Sequence, residues 1–475
     1  MPGPCILAID QGTTNTKAVL VSAKGQIVAQ ASAAVASAYP RPGWAEQSAT
    51  DIWHSVQTVI AAIKAPVAGI AIANQRETLV VWDAKTSRPI CPAILWQCRR
   101  TADACATLIA QGHSPQVESA TGLAINPLFP ASKLAWVMQH VPAAKTLLAQ
   151  GRLRAGTVDA WLLWNLTEGK TFATDHSNAS RTQLFNAETL HWDADFCALF
   201  NAPISALPAA MPSDSHFGTT PQRIPILAML GDSHAALYGH GIRTPGLVKA
   251  TYGTGSSLMA LTPTRTQSRH GLSGTIAWTQ NGKTTYAIEG NITVSAQAAA
   301  FIAQMLGITV QSLSDLAKTV PDANGVTFVP ALAGLGAPHW NDRATGTISG
   351  LTLATTPAHI ARATFEAIAC QVADVFTAME RDIGQPLAAL KADGGASANS
   401  FLMQLQADLL NRPVQRNTVP EVGALGAAAM AFHALGVDAG RWHVADADTF
   451  TPALVAKERD NIKSKWDTAI QSTLQ

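Results

Sequence analysis

The stretch Cys5-Ile6-Leu7-Ala8-Ile9-Asp10-Gln11-Gly12-Thr13-Thr14-Asn15-Thr16-Lys17-Ala18-Val19-Leu20-Val21 decides how the chain is read. An apolar run from Cys5 to Ile9 meets a turn-rich break, and a second apolar run extends from Ala18 to Val21. Runs of four or five apolar residues bounded by Gly, Asn and Thr read as strands. Asp10 therefore stands at a strand end, ahead of a tight turn. Glycine at Gly12 lets backbone approach an anion, and N–H groups with the hydroxyls of Thr13 and Thr14 can bind phosphate oxygens. Asn15 belongs to the same turn, Lys17 adds a charge for the same phosphates, and a carboxylate at Asp10 suits Mg²⁺. Taken alone, the segment also fits an ordinary hairpin turn.

Working outward, strand-like and helical patterns alternate. Gly69 to Ala73 and Thr78 to Trp82 read as strands. Asp51 to Ala62 has helical spacing, with Ile52, Val56, Ile60 and Ile63 on one face and Thr50 as the expected N-cap. This alternation predicts an α/β architecture. The opening pattern returns at Leu247 to Thr251, Gly253-Thr254-Gly255-Ser256-Ser257 and Leu258 to Leu261. A strand, a Gly/Thr turn and a strand near the start of each half suggest two related domains, residues 1–240 and 241–475, divided in the stretch holding Gly239, Gly241 and Pro245. Ala424 to Leu435, rich in alanine with Gly426 inside, reads as a closely packed buried helix.

Bulk properties narrow the function. The 475 residues are too many for one ordinary core. With 47% hydrophobic and 14% charged residues the chain suits a globular enzyme and not a disordered one. A formal net charge of +1 and the lack of long like-charge runs advertise no nucleic-acid or acidic-membrane partner. The six scattered cysteines have no C-x-x-C spacing and read as free thiols of a cytoplasmic protein. No signal peptide or membrane-spanning run is expected.

Further residues carry chemistry. Asp232, in Leu230-Gly231-Asp232-Ser233-His234, comes after an apolar run and is a candidate general base; a helix-capping Asp is the plain alternative. Gly253 and Thr254 offer a second phosphate turn. Asp393-Gly394-Gly395-Ala396-Ser397-Ala398-Asn399 offers bare backbone on which a flat purine can lie. No G-x-G-x-x-G follows a strand and no P-loop is present, so a bound nucleotide uses another design. No H-E-x-x-H spacing marks a zinc site. Arg76 and Glu77 together can hold vicinal hydroxyls, and Trp96 can cover a sugar's C–H face; surface charges and a core tryptophan are the alternative.

At these residues the sequence resembles the FGGY carbohydrate kinase family, most of all its glycerol kinase branch. Ala8 to Thr14, Arg41 to Glu46, Asn74 to Thr78, Trp96 to Thr101, Gly156 to Asp159, Ser177 to Thr182, Thr251 to Gly255, Gly346 to Thr352 and Asp393 to Ala396 carry the match in order. The resemblance implies two actin-like (ribonuclease-H-like) domains closing on a cleft, and transfer of the γ-phosphoryl of ATP to a hydroxyl of a small polyol or open-chain sugar. It implies Asp10 and Asp232 near Mg²⁺, with Asp232 as base. Thr13, Thr14, Gly253 and Thr254 would lie at the phosphates, where the residue reading already put Gly12, Asn15 and Lys17. Gly394, Gly395, Ala396 and Asn399 would lie at the adenosine, and Arg76, Glu77 and Trp96 at the acceptor. Homodimers or homotetramers are the family's expectation. A sensor that binds sugar without catalysis would have lost its base or its phosphate turns, and both are kept.

Three acceptor positions depart from the glycerol-binding pattern. A tyrosine is replaced by Leu128, a glutamine by Ser233 and a phenylalanine by Ser257. Loss of bulk predicts a wider pocket with serine hydroxyls left to water by glycerol, and hence a four- or five-carbon polyol or ketose (erythritol, ribulose, xylulose) as substrate; glycerol itself stands beside this. The glycine-rich loop that binds a bisphosphorylated sugar in some relatives is missing at Phe217 to Arg223, so such inhibition is not expected.

Overall fold

The computed structural model describes residues 3–417, 419, 421–437, 439 and 448–474. The chain divides into two units, one of Met1–Arg243, Gly274–Ala287 and Glu421–His443, the other of Thr244–Ser273, Ile288–Pro420 and Val444–Gln475. The chain passes from the first unit to the second after Arg243, and two later segments return to the first. The alanine-rich helix is one of them, so residues 241–475 are not one unit.

In the first unit a six-stranded sheet runs in the order Gly218–Thr219, Pro225–Gly231, Gly69–Asn74, Cys5–Gln11, Asn15–Ser22, Ile27–Ala34. Cys5–Gln11 pairs antiparallel with Asn15–Ser22 and parallel with Gly69–Asn74, which pairs parallel with Pro225–Gly231. Gln11, Asn74 and Gly231 therefore lie side by side at the carboxyl ends of three parallel strands. In open α/β sheets this edge is where ligands bind. Helix Ala49–Ala62 buries Ile52, Val56 and Val59. Its cap is Ser48, whose hydroxyl accepts from the Asp51 N–H at 3.1 Å; the expected Thr50 already lies inside the first turn.

Helix Val422–Ala434 has apolar residues all round and is buried along most of its length. It packs on helix Asp232–Gly239 at glycines. A Cβ on Gly426 would stand 1.8 Å from the Ala235 carbonyl oxygen, and one on Gly239 2.2 Å from that of Val422. Glycine at both points is what permits so close a crossing.

The second unit repeats the plan. Leu247–Tyr252 pairs antiparallel with Ser256–Thr262 and parallel with Ala389–Asp393, beyond which come Val414–Arg416 and Asp448–Phe450. The 27-residue helix Pro357–Ile383 supplies much of its core, with Phe365, Ile368, Val372, Val375, Phe376 and Met379 buried. Among the described residues no single helix is long and apolar enough to cross a membrane.

Candidate active site

The three strand ends of the first unit deliver Asp10, Arg76 and Glu77, and Asp232. Asp232 opens helix Asp232–Gly239 with Gly231 as N-cap. Its Oδ1 accepts from Arg76 Nε at 3.1 Å and from the Ser233 N–H at 2.6 Å. The other carboxylate oxygen has no hydrogen-bond partner among the described residues, and the side chain is 42% exposed. Asp232 is thus the first residue of the helix rather than its cap, and its carboxylate stays partly exposed. Gly231 admits no side chain, since a Cβ would lie 2.6 Å from Arg76 Cδ.

Asp10 ends close to Asp232 and Glu421. Burial and the negative charge of both raise its pKa to about 7, with Lys17 opposing. Lys17 is held elsewhere, by both oxygens of Glu421 at 2.7 and 2.9 Å. The sequence reading of Lys17 as a phosphate ligand left out this partner, which lies 404 positions along the chain. Glu421 is the N-cap of helix Val422–Ala434, and a Cβ on Gly423 would sit 3.4 Å from Asp10 Oδ2. A helix N-terminus beside crowded carboxylates favours their negative charge. Among the described residues no group of three or more His, Cys, Asp or Glu is arranged to hold a metal ion by itself. Two carboxylates still fit Mg²⁺, which usually keeps several waters and takes substrate phosphates as further ligands.

The Gly12–Thr14 turn closes with Gly12 N–H donating to the Asn15 carbonyl at 2.9 Å, and the Asn15 amide donates to Thr14 Oγ1 at 3.2 Å. Beneath it lie glutamines to which the sequence reading gave no role. Gln75 donates to the side chains of Gln11 (3.1 Å) and Gln47 (3.0 Å), and Gln47 donates to the Thr13 carbonyl. Trp96 is partly exposed, and its indole N–H donates to Thr13 Oγ1 at 3.0 Å. The candidate acceptor residue and the candidate phosphate residue are therefore directly bonded.

Glu77 is buried at φ +62° and accepts from the fully buried Arg181 at 2.7 Å. Its carbonyl and that of Leu128 both accept from Lys133 Nζ at 2.7 Å. Burial lowers the Lys133 pKa to about 7, against the pull of Glu77. Lys133 is a lysine on a mostly apolar helix, Pro130–His140, and that misfit was the signal available in the sequence. Ser233 is buried beside the base; His234 is fully buried and bonds Thr275 Oγ1 at 3.1 Å, a structural role.

In the second unit the Gly253–Gly255 turn is also closed by one backbone bond, but a residue tighter, from Gly253 N–H to the Gly255 carbonyl at 2.9 Å. The Thr254 carbonyl accepts from Ser295 N–H at 2.9 Å, tying the turn to helix Ala296–Met305. Ser257 is not left to water as expected: its hydroxyl donates to Glu289 at 3.0 Å. Gly394 has φ +88°, and a Cβ there would lie 2.5 Å from the Tyr252 carbonyl oxygen, whereas one on Gly395 would meet nothing within 4 Å. Ala396 lies in the 3-10 turn Gly395–Ala398. Asn399 caps helix Ser400–Leu410, accepting from Leu402 N–H at 3.2 Å and donating to Ser314 at 2.9 Å. Its side chain thus has structural partners at both ends.

Comparison with known proteins shows the family. The N-terminal domain model of the FGGY family of carbohydrate kinases matches residues 5–239 and the C-terminal domain model residues 248–435. The apulose kinase of Pectobacterium atrosepticum is 49% identical over 447 residues, covering 91% of this chain and 90% of that protein. The glycerol kinase of Symbiobacterium thermophilum is 44% identical over 485 residues, covering 98% and 97%. The crystal structure of Plasmodium falciparum glycerol kinase with ADP superposes with a TM-score of 0.93 at 31% identity, covering 100% and 99% of the two chains. The chain belongs to the FGGY family of carbohydrate kinases and is a phosphotransferase for a small polyol or sugar.

Proposed function

We propose that the chain transfers the γ-phosphoryl group of ATP to a hydroxyl of a four- or five-carbon ketose or polyol, with Asp232 as the base. The observation that carries the base is the Asp232 carboxylate, gripped at Oδ1 by Arg76 and the Ser233 N–H, with its other oxygen unbonded among the described residues and its side chain 42% exposed. An acceptor hydroxyl bonded to that oxygen gives up its proton to Asp232 as its own oxygen attacks the γ-phosphorus in line with the departing ADP oxygen. Positioned proton removal of this kind contributes about 10²–10⁴-fold. Arg76 and Glu77 hold neighbouring hydroxyls, and Trp96 covers the carbon face. Thr13, Thr14, Asn15, Gly253 and Thr254 bind phosphate oxygens, and Gly394, Gly395 and Ala396 accept the adenosine. Mg²⁺ held at Asp10 and Asp232 would supply charge neutralisation for the phosphates. Its charge would also relieve the like-charge crowding that raises the Asp10 pKa. The cytoplasm, where ATP is supplied, is the compartment this reading requires.

The ketose reading is supported by Leu128 and Ser233 at the acceptor positions and by the relative named apulose kinase, which is 49% identical where the glycerol kinases are 42–44% identical. Pairing of Ser257 with Glu289 removes one of the three reasons for a wider pocket. Glycerol is the second reading, supported by Arg76, Glu77 and Trp96. Measuring kcat/KM for glycerol, erythritol, xylitol, ribulose, xylulose and apulose with ATP separates them. A clear preference for glycerol sinks the wider-pocket reading.

A further inference from the structure

Behind Asp232 lies a buried polar knot that has no part in the transfer itself. Asp175 is fully buried and accepts five hydrogen bonds. They come from the Ser177 N–H and hydroxyl (both 2.9 Å), the Asn178 N–H (2.9 Å) and side-chain amide (2.8 Å), and the Ser213 hydroxyl (2.7 Å). The knot grips strand Pro225–Gly231 twice. Ser177 Oγ accepts from the Gly231 N–H at 3.0 Å, and the Ser213 carbonyl accepts from the Met229 N–H at 3.1 Å. It grips strand Gly69–Asn74 once, where Asn178 and Asn74 exchange side-chain amide bonds of 2.9 and 3.1 Å. These are the strands that deliver Asp232 and Arg76.

The direction of each bond matters. A hydroxyl has one proton. That of Ser177 points at Asp175, so the Ser177 oxygen is left as an acceptor aimed at Gly231. Asp175 thereby sets the polarity of Ser177, and Ser177 fixes the last peptide before the base. Arg76 lies across Gly231 with no room between them, so a shift of Gly231 moves both partners of the Arg76–Asp232 contact.

We propose that Asp175 and Ser177 are positioning residues that hold Gly231, and through it the Asp232 carboxylate, where it can take the acceptor's proton. This rests on Asp232 being the base. A misplacement of about 1 Å at a reacting group can lower a rate about 10²-fold.

The test uses the full chain with ATP and its best acceptor. Ser177→Ala should lower kcat about 10- to 100-fold while the acceptor KM changes by less than about threefold. In an Asp232→Asn background, Ser177→Ala should change the remaining rate by no more than about twofold, since a residue acting only through the base has nothing left to act on. Two results overturn the proposal: a folded Ser177→Ala with kcat within about twofold of the parent, or an undiminished effect in the Asp232→Asn background. If Ser177→Ala does not fold, Ser177→Cys, nearly the same size but a poor acceptor, carries the same expectation, and parental kcat in it overturns the proposal. Near-normal kcat in Asp232→Asn alone removes the base and the positioning together. Loss there with parental kcat in Ser177→Ala removes only the positioning.

Discussion

The two units share a frame and fill it differently. Each has a hairpin whose first strand also pairs in parallel with a later strand, and each hairpin turn is a three-residue Gly/Thr turn closed by one backbone bond of 2.9 Å. The residues just past the third strand separate them. After Asn74 the first unit sets Gln75, Arg76 and Glu77, whose side chains are buried and hydrogen-bonded. After Asp393 the second sets Gly394, Gly395 and Ala396, where little but backbone is offered. A polyol is recognised by hydroxyls that need directed donors and acceptors. A purine and a phosphate chain are served by flat backbone and N–H groups. In the proposed function one topology serves two chemistries by changing what stands at the same edge.

The largest expected effect lies on the side-chain half. Asp232→Asn should fold and lose kcat by about 10²–10⁴-fold. A stopped assay of sugar-phosphate formation checks it, and near-normal turnover would break the assignment of chemistry to the first unit. Next, Arg76→Lys should raise the acceptor KM about 10- to 100-fold and leave the KM for ATP nearly unchanged, because a lysine ammonium does not reproduce the guanidinium fork. Equal changes in both constants would blur the division of labour.

On the backbone half the two glycines should part company. Gly395→Ala has room in the protein alone and should keep its thermal stability, yet weaken ATP binding, read as a KM raised about fivefold or more. Gly394→Ala should lower stability by about 1–3 kcal/mol, since φ +88° and the Tyr252 carbonyl both oppose a side chain. An unchanged ATP KM in Gly395→Ala would remove the bare-backbone account.

The smallest effect concerns Asp10. Its folded pKa of about 7 lies above the ordinary value of 3.8. Between those values the folded state keeps a proton that the unfolded state loses, so stability falls as pH rises through this window and stays lowered above it. Asp10→Asn should therefore raise the melting temperature of the unliganded protein at pH 8 by about 2–4 °C, and flatten its decline from about pH 4 to pH 7. A lower melting temperature in the variant would contradict the crowding of Asp10, Asp232 and Glu421.

Strand ends, turns and the duplicated opening were legible in the sequence because they are local. Apolar runs, Gly12 and Gly253, and the carboxylates at Asp10 and Asp232 carry their meaning within a few residues. The glycine at position 426 was legible too, as a close crossing within a buried helix. The residues alone left open which of them meet. Glu421 holds Lys17, Lys133 holds the carbonyls of Glu77 and Leu128, and Asp175 reaches Gly231 through Ser177. Each pairing joins segments distant in sequence, through hydrogen bonds whose partners no local pattern encodes.

By itself the sequence determined an α/β chain with two Gly/Thr turns as candidate phosphate sites, a candidate base and three candidate acceptor residues, since backbone propensity and side-chain chemistry act at short range. Only the tertiary structure decided that helix Val422–Ala434 belongs with the first unit and that Ser257 already has a partner. It also brought Gln11, Asn74 and Gly231 into line. The reason is physical: a parallel sheet aligns strand ends that lie up to 220 residues apart, and that register is fixed by packing of the whole unit rather than by any one segment.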